Sequence, residues 1–248
     1  MIILRSAEEV GQIRKAGSIV AATLERLKKD AKAGVATEEL DRIAVEEIAK
    51  RGGHAAFKNY KGYPANICTS INEAVVHGIP SDRRLADGDI LSIDIGVRYG
   101  NFFADAAITV GIGSISDTAK KLISVTQEAL YQGIKNARTG KRLSDISASV
   151  QSYVESNGFS VVRAFVGHGI GEKIHEEPEI PNYGAPNKGV RLEPGMILAI
   201  EPMVNAGTFE VEVLDDGWTA VTLDRSLSAH FEHTIAVRNG EAQILTAV

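Results

Sequence analysis

The 248-residue chain has a single cysteine, Cys68, so neither an intramolecular disulfide framework nor a cysteine zinc cluster is available to it. No apolar run approaches the roughly 18 residues that a membrane span needs, and no membrane partner is expected. The first nine residues have too short an apolar part and turn acidic too soon for a secretory signal, so a cytoplasmic protein is expected. Basic charge is not in excess either. Lys and Arg number 27 against 32 Asp and Glu, a formal charge of −5, so no global field draws the chain to nucleic acid, and direct nucleic-acid readout is not expected. What is present is an ordinary globular composition, 44% apolar and 24% charged, long enough for one large domain or two halves sharing a core.

Read in order, the chain opens with Ser6 as a helix cap followed by Glu8 and Glu9, and Val10, Ile13, Ala16, Val20, Leu24 and Leu27 recur at helical spacing. Gly34 ends that helix. Thr37 is expected to cap a second, with Leu40, Ile43, Ala44 and Ile48 behind it and Gly52–Gly53 as the stop. From Ala55 to Val97 the pattern changes to short strands, 66–71, 73–80 and 90–97. A hairpin turn at Tyr99–Asn101 then leads into a strand over 102–110. The second half starts again, with a helix from about Ser116 to Asn136 and another capped by Ser144 and stopped at Asn157–Gly158.

These matches form an internal repeat, about 1–113 and 114–248, within one catalytic domain, 1–248. Leu85–Asp94 matches Leu192–Glu201, each with a glycine six residues before its carboxylate, Gly88 and Gly195. Ala104–Asp105 matches Phe231–Glu232, and the Val76–Ile79 segment resembles Gly167–Ile170. A lone Asp94 inside an apolar strand reads as a structural ion pair or an edge position, because a buried carboxylate without a partner is costly. Carboxylates at matching places in both halves make that coincidence improbable. Four of them around a pseudo-two-fold axis repel one another unless cations intervene.

The stretch from Phe165 to Gly184 supplies an imidazole. His168 lies between Gly167 and Gly169, His175 follows seven residues on, and the acidic, proline-containing run behind them reads as neither an amphipathic helix nor an alternating strand. Alone, a Gly-His-Gly is a turn with a hydrogen-bonded histidine. With Asp94, Asp105, Glu201 and Glu232, His168 completes an oxygen-rich ligand set suited to two divalent ions (Co, Mn, Fe(II) or Zn) about 3.5–4 Å apart, bridged by carboxylates and a water. Such a pair acidifies water and polarises a carbonyl, which hydrolysis requires.

The run Asn72–Pro80 with His77, the Asp94 and Asp105 pair, Gly167–Gly171 through His175, Ile200–Pro202 and Phe231–Thr234 together resemble the type I methionine aminopeptidases of peptidase family M24. The resemblance extends from about Ser6 to the C-terminus. It implies the α/β pita-bread fold, two pseudo-symmetric halves around a curved antiparallel sheet. It also implies removal of the initiator methionine from nascent chains with a small second residue. By that resemblance Asp94 chelates one ion, Asp105 and Glu232 bridge, and His168 with Glu201 completes the other site. Glu201 is then the proton acceptor, and His77 and His175 hydrogen-bond the substrate amide and the tetrahedral intermediate.

Tyr60, Tyr63, Cys68 and Trp218 are the expected walls of the methionine pocket, by the same resemblance. Cys68 has no activating base in its neighbourhood and is not expected to be a nucleophile. Ile174 stands where some relatives have an aromatic residue, which alters the pocket floor. His54, His230 and His233 are expected to be structural, the last two as supports of Glu232. Nascent chains as substrate imply transient ribosome contact, with Lys28, Lys29, Lys32, Arg83 and Arg84 as candidates, by a monomer. Two rival readings stand beside this one. The first is an Xaa-Pro aminopeptidase or prolidase, which shares these ligands but usually carries a further N-terminal domain. The 31 residues from Glu201 to Glu232 leave no room for the helical insertion of the type II enzymes. The second is a non-catalytic binding module on the same fold, which is expected to have lost ligands.

Overall fold

A computed structural model of the chain describes residues 2–247. Four helices carry the outer layer: α1 (Ala7–Asp30), α2 (Thr37–Lys50), α3 (Asp117–Asn136) and α4 (Leu143–Ser156). Ser6 caps α1 as expected. Its hydroxyl accepts from the Glu9 amide and the Glu9 carboxylate accepts from the Ser6 amide, closing a capping box. Ser116 caps α3 through the Ala119 amide.

The caps expected at Thr37 and Ser144 are not formed by those side chains. Thr37 is the first helical residue of α2, and its hydroxyl exchanges hydrogen bonds with the backbone of Ser81 instead of capping. Ser144 lies inside α4, where its hydroxyl bonds the backbone of Lys188. The Asp145 carboxylate accepts from the amide of Arg142, the cap residue. In both cases a partner 44 residues away in sequence claims the hydroxyl that a local cap would use.

The strands in the first half are β1 (His54–Ala55), β2 (Cys68–Ile71), β3 (Ala74–Val76), β4 (Ile90–Tyr99) and β5 (Phe102–Gly111). The second half has β6 (Ser160–Val161), β7 (Gly167–Gly169), β8 (Glu176–Ile180), β9 (Ile197–Ile200) and β10 (Met203–Asn205). It continues with β11 (Val211–Val213), β12 (Ala220–Thr222), β13 (Ser228–His230), β14 (His233–Ala236) and β15 (Gln243–Ile244). All pairings among the described residues are antiparallel. β8 corrects the reading of the acidic run. It is a strand paired with β7, and its buried residues alternate, Pro178 and Ile180 inward with Glu177 and Glu179 exposed.

Strand parity positions the site. On β4, Leu91, Ile93, Ile95 and Val97 face one way and join a core with Ile13, Val20 and Leu27 of α1 and Leu40 and Ile48 of α2. On β5 the matching residues are Ala104, Ala106, Ile108 and Val110. Each large aliphatic side chain fully buried there contributes about 1.5–3 kcal/mol. Because successive strand side chains alternate, Asp94 of β4 and Asp105 of β5 must face the other way.

The registers align the rest. Cys68 is opposite Asp94, Asp94 opposite Ala107, and Ala107 exchanges backbone hydrogen bonds with Glu232 (2.9 and 3.4 Å). One step along, Gly96 is opposite Asp105, Thr234 of β14 is opposite Ala199 of β9, and Ala199 is opposite His168 of β7. Glu201 follows directly after β9, two residues from Ala199 and so on the same side. Two cross-strand rows therefore bring residues from both halves onto one face, at the separations of a few ångströms that neighbouring strands impose.

Candidate active site

The floor of a cavity of about 270 Å³ carries Asp94, Asp105, His168, Glu201 and Glu232, and its walls include Phe57, Tyr60, Tyr63, Cys68, His77, His175 and Trp218. A larger groove of about 640 Å³ lies between α1, α3 and β5, but its lining holds one carboxylate, Glu25. Chemistry, not volume, singles out the smaller cavity.

His168 is buried, with Nδ1 2.9 Å from the carbonyl oxygen of Gly169. A carbonyl only accepts, so Nδ1 carries the proton and the lone pair of Nε2 faces the carboxylates. From Nε2 it is 3.4 Å to Asp105, 3.5 Å to Glu201 and 4.0 Å to Glu232. Donor atoms of Asp105, His168 and Glu232 lie within 4.8 Å of one another. Asp94 and Glu201 sit beside this trio, each keeping a small part of its surface open to the cavity.

The electrostatics are those of an anionic hole. No Lys or Arg pairs with any of the four carboxylates among the described residues. Burial, reinforced by the charges of Asp105 and Glu201 and offset by His230, pushes Asp94 up to about 7. Burial pushes Asp105 up to about 7 against the hydrogen bond from Thr234, and Glu201 up to about 8. Glu232 is raised by burial and then by the other three carboxylates. Asp94 Oδ1 is buried and has no hydrogen-bond partner. Oriented oxygen donors, an imidazole of the ligating tautomer and an orphaned carboxylate oxygen fit divalent cations.

Support for the donors is built into the sheet. Thr234 Oγ1 accepts from the Asp105 amide (3.0 Å) and lies 2.8 and 2.9 Å from the Asp105 carbonyl and Oδ1. Sequence reasoning included Thr234 in a motif but gave it no part. Nothing short of the packing of β14 against β5 reveals this contact. His230 and His233 were expected to support Glu232. Instead His230 Nε2 lies 3.6 Å from Glu201, and His233 Nδ1 bonds the Thr246 hydroxyl at 2.9 Å. His54 lies exposed on β1, away from the cavity lining.

The remaining histidines are held neutral. Surrounding protein, with repulsion from His168, Lys61 and His77, lowers His175 to about 3 although the residue keeps an exposed edge at the cavity mouth, and burial with repulsion from His230 lowers His77 to about 4. His175 Nδ1 is 2.9 Å from the Tyr60 hydroxyl, and its ring centroid is 4.2 Å from that of His168. His77 sits at φ 60°, a left-handed backbone position rarely adopted by a non-glycine residue, with its ring edge-on to Phe165 and Trp218.

Tyr63 is buried, edge-on to Trp218, and its hydroxyl donates toward the carbonyls of Ile67 and Gly78. Burial, then the charge of Asp94, pushes the Cys68 thiol up, the opposite of an activated nucleophile. Ile174 is buried beside Phe57 in the core and does not itself line the cavity. A Cβ on Gly96 would come within 2.6 Å of the Phe57 ring and 3.0 Å of Ile174. Phe57 was not foreseen as a lining residue, since nothing in its local sequence distinguishes it from an ordinary core aromatic.

Comparison with known proteins agrees with this geometry. The model of Metallopeptidase family M24 matches residues 11–239. Methionine aminopeptidase 1 of Bacillus subtilis is 54% identical over 248 residues, and a methionine aminopeptidase of Clostridium perfringens 53% over 248, each comparison covering 100% of both chains. The crystal structure of the methionine aminopeptidase of Thermotoga maritima superposes with a TM-score of 0.99 at 44% identity, covering 100% of each chain. The mixed helical and antiparallel architecture is the pita-bread fold. The chain belongs to metallopeptidase family M24, among its methionine aminopeptidases.

Proposed function

We propose that this enzyme releases the N-terminal methionine of nascent polypeptides whose second residue is small, using two divalent ions and an activated water. The observation that carries the reading is the meeting of five ligand-type side chains, donated by both halves, with an apolar aromatic cavity of about 270 Å³. Asp94, Asp105, His168, Glu201 and Glu232 hold the ions. When bound, such ions acidify water and polarise the scissile carbonyl.

The chain's own groups do the rest. Glu201 accepts the proton of the attacking water and passes it toward the leaving amine. The Tyr60 hydroxyl donates to His175 Nδ1, which leaves the Nε2 proton of a neutral imidazole to donate to the developing oxyanion. His77, also neutral, donates to the substrate amide. Tyr63, Cys68, Trp218 and Phe57 enclose the methionine side chain, an unbranched thioether that suits an aromatic wall. Exposed Lys28, Lys29, Lys32, Arg83 and Arg84 form the proposed ribosome-facing patch, in which Arg84 bonds the Gly34 carbonyl beside Lys32.

The test is hydrolysis of Met-Ala-Ser, Met-Leu-Ser, Leu-Ala-Ser and Xaa-Pro peptides by metal-stripped protein with Mn, Fe(II), Co or Zn added back. Metal-dependent release of methionine from Met-Ala-Ser, with little from Met-Leu-Ser and little leucine from Leu-Ala-Ser, is the expected result. Cleavage confined to Xaa-Pro bonds refutes it in favour of the proline-directed branch. No turnover with any ion refutes it in favour of a binding module.

A further inference from the structure

We infer that Arg5 is a positioning residue for His175, acting through a buried clamp on the loop between β7 and β8; the catalytic part of this inference rests on the function proposed above. The Arg5 side chain is 3% exposed although it carries a full charge. Its guanidinium meets both carboxylate oxygens of Glu176 at 2.8 and 2.9 Å, and reaches Glu172 at 3.4 Å and Glu9 at 3.5 Å. Nη2 alone meets both Glu176 oxygens while Nη1 faces Glu172 and Glu9, so the planar group addresses carboxylates from two of its nitrogens and fixes orientation as well as distance.

The residues it grips flank His175. Glu176 is the next residue, and its Oε1 also accepts from the Lys173 amide at 3.0 Å. Gly171 is the second residue of the loop, and a Cβ there would collide with the Arg5 guanidinium, so a side chain at this position would displace the clamp. The Gly171 carbonyl in turn accepts from the Phe103 amide on β5 at 2.8 Å, and the guanidinium lies over the Phe102 ring. Arg5 is itself fixed, because its amide donates to the Gly195 carbonyl at 2.8 Å. The N-terminal segment, β5 and the segment before β9 thus converge on five loop residues that end at the histidine.

Among the described residues the His175 side chain has one hydrogen-bond partner, the Tyr60 hydroxyl. Its backbone position therefore depends on what holds the loop. Without the guanidinium, Glu172 and Glu176 face each other with no intervening cation, and the loop relaxes away from the cavity. Lysine at position 5 keeps the charge but loses the planar fork, so it restores the position only in part.

The experiment combines amide exchange with a double-mutant cycle on the metal-loaded enzyme. In Arg5→Gln, exchange at residues 172–175 rises by about tenfold or more while β4 and β5 keep their protection. The kcat for Met-Ala-Ser falls by about 10–100-fold with KM within about threefold. Placed on His175→Ala, Arg5→Gln costs less than about threefold further. Arg5→Lys gives intermediate values for both readouts and serves if Arg5→Gln does not fold. Unchanged exchange over 172–175 overturns the clamp, even for an enzyme that releases no methionine. Raised exchange with equal kcat losses in the presence and absence of His175 overturns its action through that residue.

Discussion

Replacing Thr234 by valine removes one hydroxyl from behind the carboxylates and almost nothing else. Valine has the same shape and the same preference for strands, so the change subtracts only hydrogen bonds. Thr234 is fully buried, so the Asp105 amide it accepts from is left without a partner or water. Stranding a buried N–H costs about 1–3 kcal/mol. For a chain of this size each kcal/mol moves Tm by about 2–4 °C, so a fall of about 2–12 °C is expected. The Asp105 carboxylate also loses its 2.9 Å contact, and loss of such support weakens metal binding by about 10–100-fold.

Thr109 provides the control. Its hydroxyl lies 2.8 Å from the carbonyl and 2.9 Å from the amide of His230, the same backbone pattern, but it touches no carboxylate. Thr109→Val should therefore lower Tm by a similar amount and leave metal affinity within about twofold, while Thr234→Ser should be near wild type in both. Calorimetric titration of the metal-stripped variants with Mn(II), beside thermal unfolding, separates the two effects. Equal metal affinity in Thr234→Val and Thr109→Val refutes the proposed support of Asp105.

Three further outcomes are expected. Chelation of the metal at pH 7.5 should lower Tm, and added Mn(II) at about a hundred times its Kd should restore about 2.7 kcal/mol; a Tm indifferent to chelator would mean that no cation relieves these carboxylates. His175→Ala should retain its metal by elemental analysis yet lose kcat by about 10²–10³-fold, and loss of metal from that variant would reassign the residue. Hydrogen bonds from Ser226 and from the Thr208 amide hold Asp224 down at about 2, below its unfolded value. Its stabilisation is therefore present above about pH 4 and vanishes as pH falls through about 2. Asp224→Asn should accordingly lower the urea midpoint at pH 7 and lower it by much less at pH 2; an equal deficit at both pH values would show that ionisation of Asp224 is not the cause.

Much of the site was legible as spacing. Asp94 and Asp105 lie on long, regularly alternating strands joined by a tight turn, so their shared face follows from parity. The cap at Ser6 and the helix start near Ser116 were legible because the capped amides lie three residues away. The hydroxyls of Thr37 and Ser144 look identical in sequence but are taken by Ser81 and Lys188, and no local rule discloses that. The strand at Glu176–Ile180 was hidden by its charge. Glu177 and Glu179 point to solvent while Pro178 and Ile180 face inward, an alternation too short to stand out.

By itself, then, the sequence determined the helices, the long β4–β5 hairpin, the family and the set of ligand-type residues, because each depends on residues near one another or on motifs of set spacing. Tertiary structure alone decided which of these groups meet. The row that links Asp94, Ala107 and Glu232, the Thr234 hydroxyl behind Asp105, the Tyr60 contact to His175 and the Arg5 clamp all join segments tens to hundreds of residues apart. Such contacts arise only when the sheets pair and the helices bury their apolar faces. The free energy that drives that packing resides in the core, and the polar geometry of the site is set as its consequence.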